Sequence, residues 1–355
     1  MNRHALRVLA VVVAALIIAL VAMEAGERNG TSTGGELLPG MKDHINDIDN
    51  VTVTYPGSGE VATIRRQDGG WVLEERNGYA ADVAALRKLL LAMADATILE
   101  TKTSDPERYE RLGVQDPETE GSEGIRVVAS GSGYSAGLII GNSAGPNSRY
   151  VRRDGEAASW LVNADPAPPA TLAAWLEREL FDVDANRVRS AEIVHADGET
   201  VRIAKESQDD PGFAVLDIPA GRELSYPTVA NSIGGALNDL QLEDVRPAEG
   251  GEAVFTTTFE TFDGLTVVAR GYEVEDGYWM SFEASAPALP APDEDEGANS
   301  GEDEQPEAST AARPADPDSD AARINERAAD WQFRIPDYKA DQFSRRWSDL
   351  LKSDD

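Results

Sequence analysis

Alternating apolar and polar residues predict short strands along most of the chain after residue 50. In the first half the alternation covers residues 51–55, 60–66 and 70–75, and turns that contain glycine separate the three runs. Four further runs have strand character, at residues 125–130, 137–141, 149–153 and 159–162. The first half of the chain therefore predicts a sheet of short strands.

Helical spacing interrupts these strands. Between residues 82 and 99, apolar side chains recur every three or four residues, at Val83, Leu86, Leu90 and Met93. This spacing places them on one face of an amphipathic helix. A second apolar run, at residues 171–181, predicts a short helix that closes the unit.

The same order of elements recurs in the second half. Predicted strands lie at residues 190–196, 199–205, 213–218, 253–260, 264–271, 278–283 and 331–336. Predicted helices lie at residues 228–240 and 340–351. We therefore predict an α+β fold that contains a duplicated unit of antiparallel sheet with packed helices, the first repeat at residues 46–181 and the second at 182–286 plus 323–352.

The N-terminal segment, residues 1–24, predicts a transmembrane anchor. Residues 8–23 form an uncharged apolar run that spans about 24 Å as a helix, and the neighbouring residues from position 5 onward lengthen it. Arg3 and Arg7 precede the run, and Glu24 and Glu27 follow it. The positive-inside rule then puts the N-terminus in the cytoplasm and the bulk of the chain in the periplasm. We expect residues 5–23 to cross the inner membrane once.

A cleaved signal peptide is the alternative interpretation of the same segment. Leu20 and Met23 stand where a cleavage site requires small residues, which favours an uncleaved anchor.

Two segments have the composition of unfolded chain. Residues 25–45 contain many glycine, serine and threonine residues and predict a flexible tether. Residues 287–322 contain 11 acidic side chains and one basic one among proline, alanine, glycine and serine. Such a segment cannot bury enough apolar surface to offset the entropy of ordering, so we predict a disordered acidic insertion.

Composition excludes several classes of function. The chain has 64 acidic and 32 basic residues and a formal charge of −32, which argues against a nucleic-acid partner. It has no cysteine and only three histidines, so disulfides, thiol catalysis and cysteine-ligated metals are excluded. No phosphate-binding glycine motif occurs. We expect no catalytic, cofactor-binding or metal-binding residues, no cofactor and no enzymatic activity.

One motif offers a remote alternative, a serine hydrolase. Residues 133–137 fit the pattern Gly-x-Ser-x-Gly around Ser135, and His195 lies downstream. The flanking runs predict two strands, whereas a nucleophile elbow leads from a strand into a helix, so we expect Ser135 to lie in a hairpin turn. His195 precedes an Ala-Asp-Gly turn and is expected at an exposed strand end.

Tryptophan supplies the other alternative, a module that binds envelope glycan or peptidoglycan. The chain has six tryptophans, at positions 71, 160, 175, 279, 331 and 347. Core packing is the expected role of each, and Trp71, Trp160 and Trp331 are expected to face the cores. A platform for sugar rings would require at least two of the six exposed on one face.

A set of motif residues in the first half resembles a known bacterial family. The matching residues are Trp71, Tyr109, Leu112, Gly113, Pro117, Ile140, Gly141, Tyr150, Val151 and Arg152. They resemble the domain of unknown function 4340 family, in which a tryptophan-bearing strand and a helix precede a Tyr…Pro segment with Leu-Gly or, more commonly, Gly-Leu, and then an Ile-Gly…Tyr-Val-Arg segment. The resemblance covers roughly residues 48–180 well and the second half more loosely.

The resemblance implies a location and a context. Members of the family resemble one another in an N-terminal membrane anchor, and they tend to be encoded beside ABC-type transporter components of the gliding-motility type. The family has no established catalytic residues, so the motif residues are interpreted as turn and core positions. We expect an accessory or scaffold protein whose partners are ABC-type transporter subunits or other envelope proteins.

Overall fold

The computed structural model describes residues 34–275, 277–286 and 316–353. They form mainly antiparallel sheets with a few helices, as expected for an α+β protein. The chain divides into two units, the first ending at Glu177 and the second beginning at Arg178. The predicted boundary after residue 181 lies too late, because Glu179–Phe181 forms a strand that pairs with Leu240–Gln241 inside the second unit.

Unit 1 is built on a sheet of nine strands. In chain order they are β1 (Asn50–Thr54), β2 (Val61–Gln67), β3 (Gly70–Leu73), β4 (Tyr79–Ala80), β5 (Ile98–Thr101), β6 (Ile125–Gly131), β7 (Tyr134–Gly145), β8 (Ser148–Arg153) and β9 (Ser159–Val162). Across the sheet the order is β4-β3-β2-β1-β6-β7-β8-β9-β5, and all neighbours are antiparallel.

Alternation along the strands gives this sheet its interior face. In β1, Val51 and Val53 are fully buried, whereas Asn50, Thr52 and Thr54 are only half-buried. Because successive side chains of a strand point to opposite faces, directly paired residues share a face. Ile64 of β2 pairs with Val51 and is also fully buried. The predicted period-2 pattern is therefore the pattern of burial.

Two helices precede or interrupt this sheet. The short helix α1 (Met41–His44) leads into a 3-10 turn at Ile45–Asp47, and α2 (Val83–Asp95) follows β4. The side chain of Asp82 caps α2 by accepting hydrogen bonds from the backbone N–H groups of Ala84 and Ala85, at 2.8 and 2.9 Å. Leu86, Leu89, Leu90 and Met93 form the buried face of the helix.

The predicted tether is partly wrong. Leu37 and Met41 are fully buried, and the backbone N–H of Leu37 donates to Ala96 O at 2.8 Å. These contacts attach residues from position 34 onward to unit 1, because their apolar side chains outweigh the polar composition around them. Residues 25–33 lie outside the described part of the chain.

Unit 2 contains an eight-stranded sheet and a two-stranded one. Its strands are β10 (Glu179–Phe181), β11 (Val188–His195), β12 (Thr200–Ala204), β13 (Ala214–Leu216), β14 (Leu240–Gln241), β15 (Asp244–Pro247), β16 (Phe255–Thr261), β17 (Thr266–Val274), β18 (Gly277–Ser285) and β19 (Trp331–Arg334). The large sheet has the order β13-β12-β11-β16-β17-β18-β19-β15, and β10 pairs with β14.

The two large sheets follow the same path along the chain. The series β13, β12, β11, β16, β17, β18, β19, β15 matches the series β3, β2, β1, β6, β7, β8, β9, β5, position by position, and unit 1 adds β4 at one edge. In both sheets the last strand of the order precedes the fourth in sequence.

Unit 2 takes much of its interior from segments late in the chain. Its helices are α3 (Asn231–Gly234), α4 (Pro317–Ala328), α5 (Asp337–Phe343) and α6 (Trp347–Leu350). Phe343 is fully buried, and its ring lies 5.6 Å from that of Phe259 and 5.8 Å from that of Phe282. Lys339 of α5 is buried and donates from Nζ to Asn238 O at 2.6 Å.

Three predicted helices are wrong in extent. Residues 171–181 form a 3-10 turn (Leu172–Trp175) and then β10, because Leu176 bridges to Ala81 and Trp175 donates from Nε1 to Tyr55 at 2.9 Å. Only Asn231–Gly234 is helical within 228–240, where two consecutive glycines weaken the helix. Residues 340–351 are divided between α5 and α6 by a non-helical segment after Phe343.

The predicted acidic insertion ends earlier than expected. Helix α4 begins at Pro317, with proline in the first turn and Asp318 and Asp320 near the positive end of the helix dipole. Asp320 and Ala321, within the predicted insertion, are buried, and Ile324 and Ala328 continue the buried face of the helix. Residues 287–315 lie outside the described part of the chain.

The predicted anchor also lies outside the described residues. Within 34–275, 277–286 and 316–353, no helix is long and apolar enough to cross a membrane. The segment 5–23 is not among them.

Candidate functional site

The residues of the serine hydrolase alternative do not form a nucleophile elbow. Ser135 is the second residue of β7, pairs with Ser130 of β6 and is exposed. The turn before it consists of Ser132 and Gly133, both with positive φ, and joins two strands as a tight hairpin. Ser135 therefore lies just after the turn rather than in it.

The expectation for His195 is wrong. The residue ends β11 as predicted, but only 5 % of its surface is exposed. Its Nε2 lies 3.2 Å from the carbonyl oxygen of Arg345, and its ring lies 6.2 Å from that of Phe255. His195 is thus part of the interior that the C-terminal segment completes.

The tryptophans do not form an exposed platform. Trp160 and Trp175 are buried, and Trp71, Trp279, Trp331 and Trp347 are half-buried. All six lie within the described part of the chain, and none is fully exposed. No pair therefore meets the requirement that the glycan alternative set.

Four of the motif residues, Tyr109, Leu112, Tyr150 and Arg152, meet on one face of the unit 1 sheet. Ile139 pairs with Arg152 across β7 and β8, and Ile139 packs with Tyr109 and Val114 of the preceding loop. The guanidinium carbon of Arg152 lies 4.9 Å from the centroid of the Tyr109 ring. We call Tyr109, Val114, Asp116, Ile139 and Arg152 the Arg152 cluster.

Arg152 is buried, with 4 % of its surface exposed, and every nitrogen of its guanidinium donates a hydrogen bond. Nε donates to Val114 O at 3.0 Å, Nη1 to Glu156 O at 3.0 Å and Nη2 to Asp116 Oδ1 at 2.7 Å. A buried charge with this many partners holds a loop in one conformation. The Arg152 cluster thus holds the loop between β5 and β6 against the sheet.

Two motif glycines allow the loop between β5 and β6 to pack closely against β7. A Cβ at Gly141 would lie 2.3 Å from Leu112 O, which no side chain tolerates. Gly113 has φ 66° and would place a Cβ 2.6 Å from Asn142 Oδ1. Glycine is required at both positions.

A second arginine ties the same loop to the sheet at the surface. Arg126 of β6 donates from Nε to Asp154 at 3.0 Å and also pairs with Asp116 and Glu118. The hydrogen bond from Arg126 lowers the pKa of Glu118, and the reverse effect raises the pKa of Arg126. Arg126 therefore also holds this loop against the sheet, and its charge is paired with those of Asp116, Glu118 and Asp154.

A surface groove runs beside helix α2 and has a volume of about 300 Å³. One wall is formed by side chains of the helix, namely Val83, Leu86, Arg87, Leu90 and Leu91. The other side is formed by Ile45, Asn46, Arg66 and Trp71. We call this surface the α2 groove. Its lining contains no acidic residue, histidine, serine or lysine, so it offers apolar contact and two guanidinium groups.

Both groove arginines lack a carboxylate partner within the described residues. Arg66 lies over the Trp71 ring, with its guanidinium carbon 5.1 Å from the ring centroid, and Arg87 projects from the exposed side of α2. The adjacent Arg65 differs, because it forms an ion pair with Glu74. The chain has twice as many acidic as basic residues, so arginines without a described carboxylate partner are unexpected. Their two positive charges make the groove suited to an anionic group.

The groove was only partly predictable. Val83, Leu86 and Leu90 belong to the predicted face of α2, but Val83 is 40 % and Leu91 47 % exposed. The signal available in the sequence is the third consecutive leucine at position 91, which a single apolar face does not explain. Arg66 and Arg87 carry no local signal, because their lack of a partner depends on the folded neighbours.

The fold and this surface define an α+β protein of two sheet units with an apolar, arginine-flanked groove. The sequence profile of the family described as Domain of unknown function (DUF4340) matches residues 71–256, just over half of the chain, so the chain belongs to that family. The match begins in β3 of unit 1 and ends in β16 of unit 2. No curated protein and no solved structure matches the chain.

Proposed function

We propose that this chain is a non-enzymatic, single-pass inner-membrane protein that serves as an accessory or scaffold of an ABC-type transport or cell-envelope complex. The α2 groove is the observation that carries the non-enzymatic, binding character of this role. It combines exposed apolar side chains with two guanidinium groups that pair with no described carboxylate, and its lining contains no nucleophile or carboxylate pair. Such a surface binds another molecule without breaking bonds in it.

The anchor is the second part of the proposal. The apolar run of residues 8–23 and its basic N-terminal flank support a segment 5–23 that spans the membrane, with the N-terminus in the cytoplasm and both units in the periplasm. Membrane fractions washed with alkaline carbonate should retain the full chain, and protease added to spheroplasts should digest its two units. A chain released by carbonate, or protected in intact spheroplasts, would contradict this topology.

Duplication of one ancestral unit is the third part. The matching strand order of the two large sheets supports it, as does the spacing of the predicted elements. Sequence profiles built separately from relatives of residues 46–181 and 182–352 should align with each other strand by strand. Alignment in another register, or none, would count against duplication.

The accessory role is tested by its partners. Affinity purification of the full chain from membranes in mild detergent should recover subunits of an ABC-type transporter. A matched purification of an unrelated single-pass protein with the same tag supplies the background. If the two preparations contain the same proteins, the accessory role is wrong.

A further inference from the structure

The exposed apolar side chains of unit 1 come from one stretch of chain. Among its described residues, the large apolar side chains more than about a third exposed are Val83, Leu91 and Leu99, at 40, 47 and 43 %. Val83 and Leu91 lie two turns apart on α2, and Leu99 lies on β5, the edge strand that follows the helix. The strongly exposed apolar side chains of unit 1 thus come from α2 and from the strand that directly follows it.

The two charged side chains that line the α2 groove are both cationic. Arg66 and Arg87 line the α2 groove, and neither forms an ion pair with a described residue, whereas Arg65, Arg126, Arg149 and Arg152 of the same unit all do. Guanidinium groups bind phosphate well, and tryptophan beside arginine and leucine is typical of protein at a bilayer interface. Trp71 completes that combination.

The first described residues of the chain lie beside the end of α2. The backbone N–H of Gly34, the first described residue, donates to Ile98 O at 2.7 Å, and Ile98 is the neighbour of Leu99. Only ten residues separate Gly34 from Met23 at the end of the apolar run. Ten residues span at most about 35 Å, so an anchor in the bilayer keeps the end of α2 and the start of β5 within that distance of the lipid surface.

We propose that the α2 groove and Leu99 rest against the headgroup region of the bilayer that holds the chain's own anchor, with Arg66 and Arg87 contacting lipid phosphates. The inference rests on the proposed membrane anchor. The apolar side chains enter the interface, and each arginine near an anionic surface strengthens the contact by about fivefold.

The tether explains how a chain of charge −32 contacts an anionic surface. Untethered, its net charge opposes the approach, whereas a short linker raises the effective concentration of the site at the surface into the millimolar range. Weak local contacts then suffice to fix the orientation of unit 1.

The absence of native cysteine gives a direct experiment. The full chain carrying Leu91→Cys is labelled with an environment-sensitive fluorophore and incorporated into nanodiscs that contain phosphatidylglycerol and phosphatidylcholine, with a fraction of lipid bearing a quencher near the headgroup. Thr119→Cys is the matched control, because Thr119 is also exposed in unit 1 but lies in the loop that Arg126 and Arg152 hold against the sheet. We expect strong quenching at position 91 and weak quenching at position 119.

Charge removal separates lipid binding from mere proximity. Adding Arg66→Gln and Arg87→Gln to the labelled chain should lower the equilibrium constant for contact with the lipid surface about 25-fold, because each arginine contributes about fivefold. Quenching at position 91 should fall accordingly. The same change of charge at Arg108 and Arg111, on the loop before Val114, should leave quenching at position 91 unchanged. Denaturation curves of each variant verify that unit 1 remains folded.

The outcomes distinguish this inference from the proposed function. Equal quenching at positions 91 and 119 in chains that have entered nanodiscs overturns the lipid contact and leaves the anchor and the accessory role standing. Shielding of position 91 only when a co-purified protein is present also overturns it, because the occupant is then a protein. A chain that fails to enter nanodiscs contradicts the anchor itself, and the lipid contact with it.

Discussion

Units 1 and 2 have the same strand order but cover their sheets differently. In unit 1 a 13-residue helix, α2, lies between β4 and β5 and buries four large apolar side chains. At the equivalent point in unit 2 the helix α3 has only four residues. Unit 2 instead buries Ile324 and Phe343, which come from helices near the end of the chain.

The difference shows that the order of strands in the sheet is more tightly fixed than the origin of the side chains that cover it. The strands must pair in register, whereas the apolar side chains that cover them can arrive from any point of the chain. Unit 1 is therefore covered from within its own sequence, and unit 2 depends on residues that follow the acidic segment. Four variants test this contrast.

The largest expected effect is at Phe343. Phe343→Ala should lower the free energy of unfolding by about 3–5 kcal/mol, because it removes a fully buried ring that contacts Phe259 and Phe282. Urea denaturation of the full chain measures the loss. Tyr338→Ala is the control on the same helix, since Tyr338 is 65 % exposed and should change stability by less than about 0.5 kcal/mol. Similar curves for the two variants would contradict the dependence of unit 2 on its C-terminal segment.

A pair of glycines tests the packing around α3. A Cβ at Gly234 would lie 2.0 Å from the Phe213 ring, so Gly234→Ala should cost about 1–3 kcal/mol by overpacking. A Cβ at Gly235 would have its nearest contact at 3.5 Å, and Gly235→Ala should be neutral or stabilise by up to about 1 kcal/mol. Thermal unfolding of the two variants side by side measures the contrast. Equal destabilisation would mean that helix geometry, not Phe213, determines the residue at 234.

The helix of unit 1 depends on its cap. Asp82→Ala should destabilise unit 1 by about 1 kcal/mol, because the backbone N–H groups of Ala84 and Ala85 lose their acceptor. Asp82→Ser keeps a capping oxygen and should retain most of the stability. Hydrogen exchange at the first turn of α2 provides the measurement. Unchanged protection in the alanine variant would show that packing alone holds the helix.

The smallest expected effect on the free energy of unfolding concerns Asp263, and it depends on pH. Desolvation raises the pKa of Asp263, but hydrogen bonds from Thr261 and Arg187 outweigh it and leave the pKa below its ordinary value. A carboxyl with a lowered pKa in the folded state stabilises the fold above its unfolded value, about 3.9, and loses that contribution as the pH falls through the folded pKa. The stability gap between the wild type and Asp263→Asn should therefore be largest at neutral pH and shrink below about pH 4.

Glu118→Gln in unit 1 is the control for that experiment. The pKa of Glu118 is also lowered, but its carboxyl is exposed and solvent screens its ion pair with Arg126. We expect a smaller gap at every pH, measured by urea denaturation across a pH series. A gap at Asp263 that stays constant from neutral to acid pH would exclude a role for its ionisation.

The sequence predicted the strands better than the helices. Alternation located β1, β2 and β11 to within two residues, because burial on one face of a sheet imposes that period directly. The run at 171–181 has helical spacing, yet the bridge from Leu176 to Ala81 and the pairing of β10 with β14 determine its structure. Strands as short as β14 or β15 exist only through distant partners, so no local pattern marks them.

The candidate site was less predictable than the fold. The sequence indicated that Leu86 and Leu90 lie on one helix face, but the exposure of Leu91 depends on which elements cover α2. Whether Arg66 is paired depends on the carboxylates that folding brings near it, and Arg65 next to it shows how one position changes that outcome. Pairing between distant residues carries no signal in a single sequence.

The short edge strands have a consequence for recognition. The unit 1 sheet ends in β4 and β5, of two and four residues, and the large sheet of unit 2 ends in β13 and β15, of three and four. Edges this short offer few open backbone groups to a strand from another molecule, which limits sheet-to-sheet aggregation. Partners of this protein should therefore be selected by side-chain chemistry on its faces and grooves, and not by extending its sheets.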